Sequence, residues 1–314
     1  SSAASDVYKR QDQGVTEFTV SYPVDIVNES KNVELLSTTG LEAYKYIPLH
    51  QKPSPSVTAL REIMNLLRKV IFPGFFGTEQ EAQTDSIQYY TGVYLEQAYD
   101  LLQEQIYNGL CFEVERCCDS KDRASEIAIA FINKVPHIKY LLSTDVKAIL
   151  DGDPAAKSPS EIIFCYPAIH AILYQRVAHE LLKLGVPVIP RIITEMAHSD
   201  TGIDIHPGAQ IGEYFSIDHG TGVVIGQTAI IGNHVRLYQG VTLGAKSFTL
   251  DEEGLPLDVP RHPIIEDYVT IYSNASILGR ITIGHGSVIG GNIWLTHSVP
   301  PNSKVLQTRA VEDK

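Results

Sequence analysis

The stretch "DIHPGAQIGEYFSIDHGTGVVIGQTAIIGNHVRL", residues 204–237, decides the fold. Aliphatics recur every six residues at Ile205, Ile211 and Ile217, and again at Ile225, Ile231 and Leu237. Between Ile217 and Ile225 the step is eight, so the repeat accepts two extra residues around Asp218-His219. The same period continues through Leu243 and then through Ile265, Ile271, Ile277, Ile283, Ile289 and Leu295. Six of these thirteen positions are followed directly by glycine (Gly212, Gly226, Gly232, Gly244, Gly284, Gly290), although the chain holds only 23 glycines in 314 residues. A six-residue period means a short strand and a tight corner, three times per coil. The aliphatic points into a narrow prism and stacks on its equivalent one coil later, and a small residue beside it lets the backbone turn. Ordinary strands alternate with period two and vary in length. The expected fold is α+β: an N-terminal all-α domain followed by a left-handed parallel β-helix of hexapeptide repeats.

A second interruption, "AKSFTLDEEGLPLDVPRHPI" (245–264), separates Leu243 from Ile265 and reads as an excursion from the prism that ends at Arg261-His262-Pro263. Insertions in such repeats map to one face, often the binding face. Upstream of Gly202 the spacing is helical. In "SVTALREIMNLLRKVIF" (56–72), Leu60, Ile63, Leu66, Leu67 and Val70 fall on one helical face, and Pro73-Gly74 ends it. Helical patterns continue over 91–110, 122–135 and 143–152, then as one long helix over 159–185 closed by Gly185, and a short one over 187–202. The expected organisation is a polar extension over 1–55, a helical domain over 56–200, the repeat domain over 201–300 with its excursion at 246–260, and a tail over 301–314.

The composition is that of a soluble globular protein, with 44% hydrophobic and 20% charged residues. A net charge of −12 excludes a general nucleic-acid surface, which needs a basic face. The longest apolar stretch, "IIFCYPAIHAILY" (162–174), is too short to span a bilayer, and no leader pattern opens the chain, so a cytoplasmic location is expected. Cys111, Cys117, Cys118 and Cys165 form no CxxC pair, and are expected to be reduced thiols without a metal.

His219 stands in the first interruption, flanked by Asp218, Gly220 and Gly222, where a ligand can approach closely. Histidine is the usual general base near neutral pH, and breaks in a regular pattern are expected at functional sites. Asp204, in "GIDIHPG", offers a carboxylate that could accept the imidazole's other N–H. Arg261 and His262 suit a substrate carboxylate, or else simply end a solvated loop.

With these residues in view, the chain resembles the serine O-acetyltransferases of the hexapeptide-repeat acyltransferase superfamily. The resemblance rests on "DGDPAAKSPSE", "IHAILYQRVAHEL", the quoted 204–235 run, "LYQGVTLGA", "RHPIIED" and "SVPPNS", over about residues 145–303. It implies transfer of acetyl from acetyl-CoA to the hydroxyl of L-serine, giving O-acetyl-L-serine for cysteine synthesis, with L-cysteine as competing inhibitor and no metal. It implies His219 as general base with Asp204 as its partner. Asp153 and Asp218 would hold the serine ammonium, and Arg261 and His262 its carboxylate. Gly244, Ala245, Ser273 and Gly291 would line the acetyl-CoA arm. The family's sites lie between prisms of a homotrimer, alone or as a dimer of trimers. His170, Arg176 and His179 are expected to be structural.

Three features depart from the family pattern. Tyr272-Ser273 replaces a small-residue pair beside the expected CoA channel. "VLQTRAVEDK" lacks both the usual "GVPAR" and the terminal Ile that family members insert into O-acetylserine sulfhydrylase, which argues against carrying that complex over. The N-terminal extension is longer than in compact relatives. Three other readings are weaker. A sugar or xenobiotic acetyltransferase leaves the RHP and DxDP residues without a purpose. A γ-type carbonic anhydrase needs clustered zinc-binding histidines. A β-helical scaffold needs no base at all.

Overall fold

The computed structural model describes residues 8–9, 18–19, 54–112, 120–247, 250–255 and 257–307. Residues 1–51 and 52–314 form two compact units. In the first, strands β1 (Tyr8–Lys9) and β2 (Phe18–Thr19) pair antiparallel.

The second unit opens with helices. Helix α1 (Val57–Ile71) is capped by the Ser56 side chain, which accepts the Ala59 N–H, and it buries all five residues of the expected apolar face. Then follow α2 (Thr84–Leu110), α3 (Ser120–Ile132) and α4 (Val135–Gly152). The expected long helix over 159–185 is two helices, α5 (Pro159–Cys165) and α6 (Pro167–Lys183). Pro167 is the cause: it disfavours helical geometry for the residue before it, and Tyr166 is extended at φ −85°, ψ 119°. Helix α7 (Ile189–Thr201) ends on Gly202 in the left-handed conformation. No helix among the described residues is long and apolar enough to cross a membrane. Cys165 is free, but Cys111 is disulfide-bonded to a partner outside the described residues. The expectation of reduced thiols fails there because spacing does not report which thiols the fold brings together.

From Asp204 the chain winds a parallel β-solenoid of three sheets. The first stacks β3 (Asp204–Ile205), β6 (Val224–Ile225), β9 (Thr242–Gly244), β12 (Ser276–Leu278) and β15 (Trp294–Leu295). The second stacks β4 (Gln210–Ile211), β7 (Ile230–Ile231), β10 (Ile264–Ile265) and β13 (Thr282–Ile283). The third stacks β5 (Ser216–Asp218), β8 (Arg236–Tyr238), β11 (Thr270–Ile271), β14 (Val288–Ile289) and β16 (Lys304–Val305). The register pairs the predicted aliphatics with each other, Ile205 with Ile225 and Ile217 with Leu237. Every predicted inward aliphatic is buried except Ile211, which is half-buried in a groove beneath α4 and α6. Each such side chain contributes about 1.5–3 kcal/mol of transfer free energy. Small residues fill the corners inside: Ala209, Ala229 and Ala275 are fully buried.

Helices α4 and α6 fasten the helical region to the first coil. Gln175 donates to the Ala209 carbonyl, His179 Nδ1 lies 2.8 Å from the Pro207 carbonyl, and Arg176 reaches the carbonyls of Ile211 and Gly212. His170 stacks on Tyr174. On α4, Asp145 accepts the Phe215 N–H at 3.0 Å and the Gly152 carbonyl accepts from Arg236 at 2.9 Å, which fixes where the end of α4, and so Asp153, meets β5.

Candidate active site

The first interruption folds as a tight turn. The Gly220 N–H donates to the Asp218 carbonyl at 2.7 Å across His219, which sits at φ +59°. A three-residue turn at positive φ is strained for a residue with a Cβ. Gly220 follows at φ +90°, where an added Cβ would come within 2.5 Å of Ile203. The two extra residues therefore lift the imidazole off the prism, and 70% of its side chain is exposed. Its Nδ1 lies 3.7 Å from the Asp218 carboxylate.

Asp153 caps the C-terminus of α4 and lines the same small cavity as Asp218, Ser216 and Arg236. The Arg236 guanidinium donates to the Gly152 carbonyl at 2.9 Å, which holds the end of α4 against β8. The Tyr166 hydroxyl, then the Ala155 N–H and the nearby His219, hold the Asp153 carboxyl below its usual range. Asp153, Asp218 and His219 are thus brought together at the corner where β5 passes into β6.

Asp204 reaches the same corner from β3: its N–H bonds the Val223 carbonyl, just past the turn. Its side chain, however, lies among Glu195 and His198 of α7, with carboxylate and imidazole atoms within 4.8 Å of one another. Among the described residues no ion pair links Asp204 to His219.

Arg261 and His262 lie at the next corner, after β6. His262 is buried, its ring packed over Gly226, where an added Cβ would come within 2.1 Å of Nε2. The Thr228 N–H donates to His262 Nδ1 at 3.1 Å, and the Thr228 hydroxyl lies 2.9 Å from the same atom. Nδ1 is therefore an acceptor, and the imidazole's proton sits on Nε2. Burial, with Arg261 and Arg280 adding, pushes His262 down to about 4, so at neutral pH it is an uncharged N–H donor. Arg261 donates to Gln227 at 2.7 Å.

The two groups of residues are not in contact within one chain. Strand β6 and its flanking residues Val223 and Gly226 lie between them and span roughly 10 Å at about 3.3 Å per residue. The expected CoA contacts divide in the same way: Gly244 and Ala245 follow β9 at the second corner, whereas Asn292 donates to the Ser273 carbonyl at the first, beside Gly291. Tyr272 stacks on Tyr238 at 4.8 Å, and Tyr238 pairs with Asp218.

A protein of Synechococcus elongatus named "Serine acetyltransferase, plasmid" is 50% identical over 269 residues, covering 83% of this chain and 84% of that protein. The chain belongs to the serine acetyltransferase family. It is accordingly an acyltransferase. Entamoeba histolytica serine acetyltransferase 1, solved in complex with L-cysteine, superposes with a TM-score of 0.69 at 39% identity, covering 78% of this chain and 86% of that one. Soybean serine acetyltransferase, solved complexed with serine, gives a TM-score of 0.52 at 27% identity over 82% of this chain and 98% of that one. No family model matches the chain.

In this member of the serine acetyltransferase family, Tyr166, Thr228, Gln227 and Arg236 shape the site without having stood out in the sequence, and Gly226 stood out there only as a corner glycine of the repeat. Only Tyr166 carried a signal, the proline after it. Gly226, Gln227 and Thr228 are ordinary members of the repeat until the excursion folds back onto them, and Arg236 until the end of α4 meets it.

Proposed function

We propose that the chain transfers acetyl from acetyl-CoA to the L-serine hydroxyl, with His219 as general base. The observation that carries this reading is the corner where two carboxylates, Asp153 and Asp218, flank a raised, exposed imidazole. Two carboxylates suit a substrate ammonium, and the imidazole beside them suits removal of a hydroxyl proton; such a base typically contributes 10²–10⁴-fold. His219 takes the proton as the serine oxygen attacks the thioester carbonyl. The tetrahedral adduct collapses, the carbon–sulfur bond breaks, and the imidazolium returns the proton to the departing thiolate. Asp204, at the same corner, takes the imidazole's other N–H in that state.

The carboxylate end of serine falls to Arg261 and to the neutral Nε2–H of His262. Free serine measures on the order of 5 Å, about half of the roughly 10 Å that separates the two corners of one chain. A neighbouring copy therefore supplies Arg261 and His262 to each His219, as the homotrimer implied by the family resemblance would allow, with acetyl-CoA lying between prisms against Gly244 and Ala245 of one and Ser273 and Gly291 of the next. L-cysteine shares the ammonium and carboxylate of serine and competes for the same groups; the cysteine-bound Entamoeba relative supports this.

The test is CoA release from acetyl-CoA with and without L-serine, read with a thiol reagent, for wild type and His219→Ala. Serine-dependent release is expected in the wild type only. A folded wild type without it, or a His219→Ala variant keeping most of its rate, overturns the reading or the base respectively.

A further inference from the structure

Asp153 is the one carboxylate of the site that does not belong to the solenoid, and its surroundings fix it unusually well. Its N–H bonds the Ile149 carbonyl at the end of α4. One carboxylate oxygen, Oδ1, accepts the Ala155 N–H at 2.8 Å. The other, Oδ2, accepts the Tyr166 hydroxyl at 2.6 Å, across thirteen residues of chain. That distance is in the range of charge-assisted O–H···O⁻ bonds. Tyr166 is itself fixed from both sides. Pro167 holds it extended between α5 and α6, and its N–H closes α5 on the Ile162 carbonyl. At the far end of the connecting loop, Ser158 caps α5 through the Glu161 N–H while Glu161 accepts the Lys157 N–H.

We propose that Tyr166 is a positioning residue of the ammonium subsite: its hydroxyl sets the Asp153 carboxylate so that the remaining lone pairs face the substrate amine beside Asp218 and His219. An ionised carboxylate offers about four acceptor sites. Tyr166 takes one on Oδ2 and Ala155 one on Oδ1, with a smaller contribution from the Ala156 N–H, and acceptor capacity is left for the substrate. The terminal torsion of an aspartate is broad, so without the hydroxyl the group swings and the remaining acceptors lose their aim. The bond also keeps both partners in the protonation states the task needs. It is the leading cause that pushes the Tyr166 phenol up to about 12, so the phenol remains a donor, and the leading cause that holds the Asp153 carboxyl low, so it remains an anion. Asp218 further raises Tyr166 and His219 further lowers Asp153, which puts this pair within electrostatic reach of the base. A tyrosine serving only to join α5 and α6 needs no such bond. The inference rests on the serine-acetylation reading and adds a specificity element to it: a preset anion selects acceptors that carry an ammonium.

The experiment compares wild type with Tyr166→Phe, which keeps the ring and removes the hydroxyl. Steady-state rates are measured with L-serine and acetyl-CoA varied from pH 5.5 to 8.5, together with calorimetric binding of L-serine and turnover of the des-amino acceptor 3-hydroxypropionate. The KM for L-serine is expected to rise roughly tenfold and its binding to weaken in parallel. The KM for acetyl-CoA stays put and kcat falls less than about threefold. The preference for L-serine over 3-hydroxypropionate narrows. An unchanged KM for L-serine, or a loss confined to kcat, overturns the assignment. A wild type that neither binds nor acetylates L-serine overturns instead the reading on which the assignment rests.

Discussion

Arg176 of α6 and Asp145 of α4 form a buried two-pronged ion pair, Nε to Oδ2 at 2.7 Å and a terminal guanidinium nitrogen to Oδ1 at 2.9 Å. Asp145 Oδ1 also accepts the Phe215 N–H at 3.0 Å, and Arg176 reaches the Gly212 carbonyl at 2.8 Å. The pair thus joins two helices to the strand that leads into Asp218-His219. Removing one partner leaves the other charge buried, which typically costs about 3–5 kcal/mol. Asp145→Ala is expected to lose about that much in urea denaturation. Loss of less than about 1 kcal/mol would count against a clamp.

His219 holds a conformation that an imidazole adopts reluctantly, φ +59°. The solenoid places asparagine in the same region at Asn274, Asn292 and Asn302, with φ 59°, 56° and 58°. Asparagine tolerates it better. His219→Asn is therefore expected to melt at or above the wild-type temperature while serine-dependent turnover falls by at least about 100-fold. A variant that loses stability and activity together would show that the turn is not the source of strain.

The periodicity of Ile205, Ile217 and Ile225 was enough to read the solenoid because each aliphatic reports its own position in the coil. The raised His219 was legible for the same reason, as a break in that count. What stayed hidden depends on contacts between distant segments. Thr228 looks like one more corner residue until His262, 34 residues on, folds against it. Tyr166 lay inside what reads as a continuous apolar helix, and there the local rule at Pro167 outweighs the longer-range period. Asp204 is a candidate that the sequence offers, but its nearness to Glu195 and His198 follows from how α7 enters the first coil, which no spacing reports.

Burial makes His262 a proton sensor of folding. Its folded value is about 4 against an ordinary 6.5. Between these values the unfolded chain binds a proton that the folded chain excludes, so stability rises with pH across that window. The contribution is complete above about 6.5 and is lost as pH falls towards 4; His206, also lowered to about 4 chiefly by burial, acts in the same direction. The urea midpoint is expected to be lower at pH 5 than at pH 7. The His262 imidazole resonances should not move between pH 6 and 8, and a midpoint near 6.5 would contradict the neutral-donor role.

Thr228 organises the carboxylate half of the site through one hydroxyl. Its Oγ1 accepts the N–H groups of Arg261 at 2.9 Å and His262 at 3.1 Å, and its own proton points to His262 Nδ1. Thr228→Val keeps the shape but strands both amides, at about 1–3 kcal/mol for each that water does not reach, and leaves His262 Nδ1 only the backbone N–H of residue 228. The KM for L-serine is expected to rise at least about tenfold, since a hydrogen bond to a charged group is at stake, with the KM for acetyl-CoA unaltered. Thr228→Ser, which restores the hydroxyl, should recover most of the loss. Gly226→Ala offers an independent check, because its Cβ would fall 2.0 Å from the His262 ring and must displace it. If Thr228→Val and Gly226→Ala both leave the KM for L-serine unchanged, His262 does not bind the substrate carboxylate, and Arg261 alone must do so.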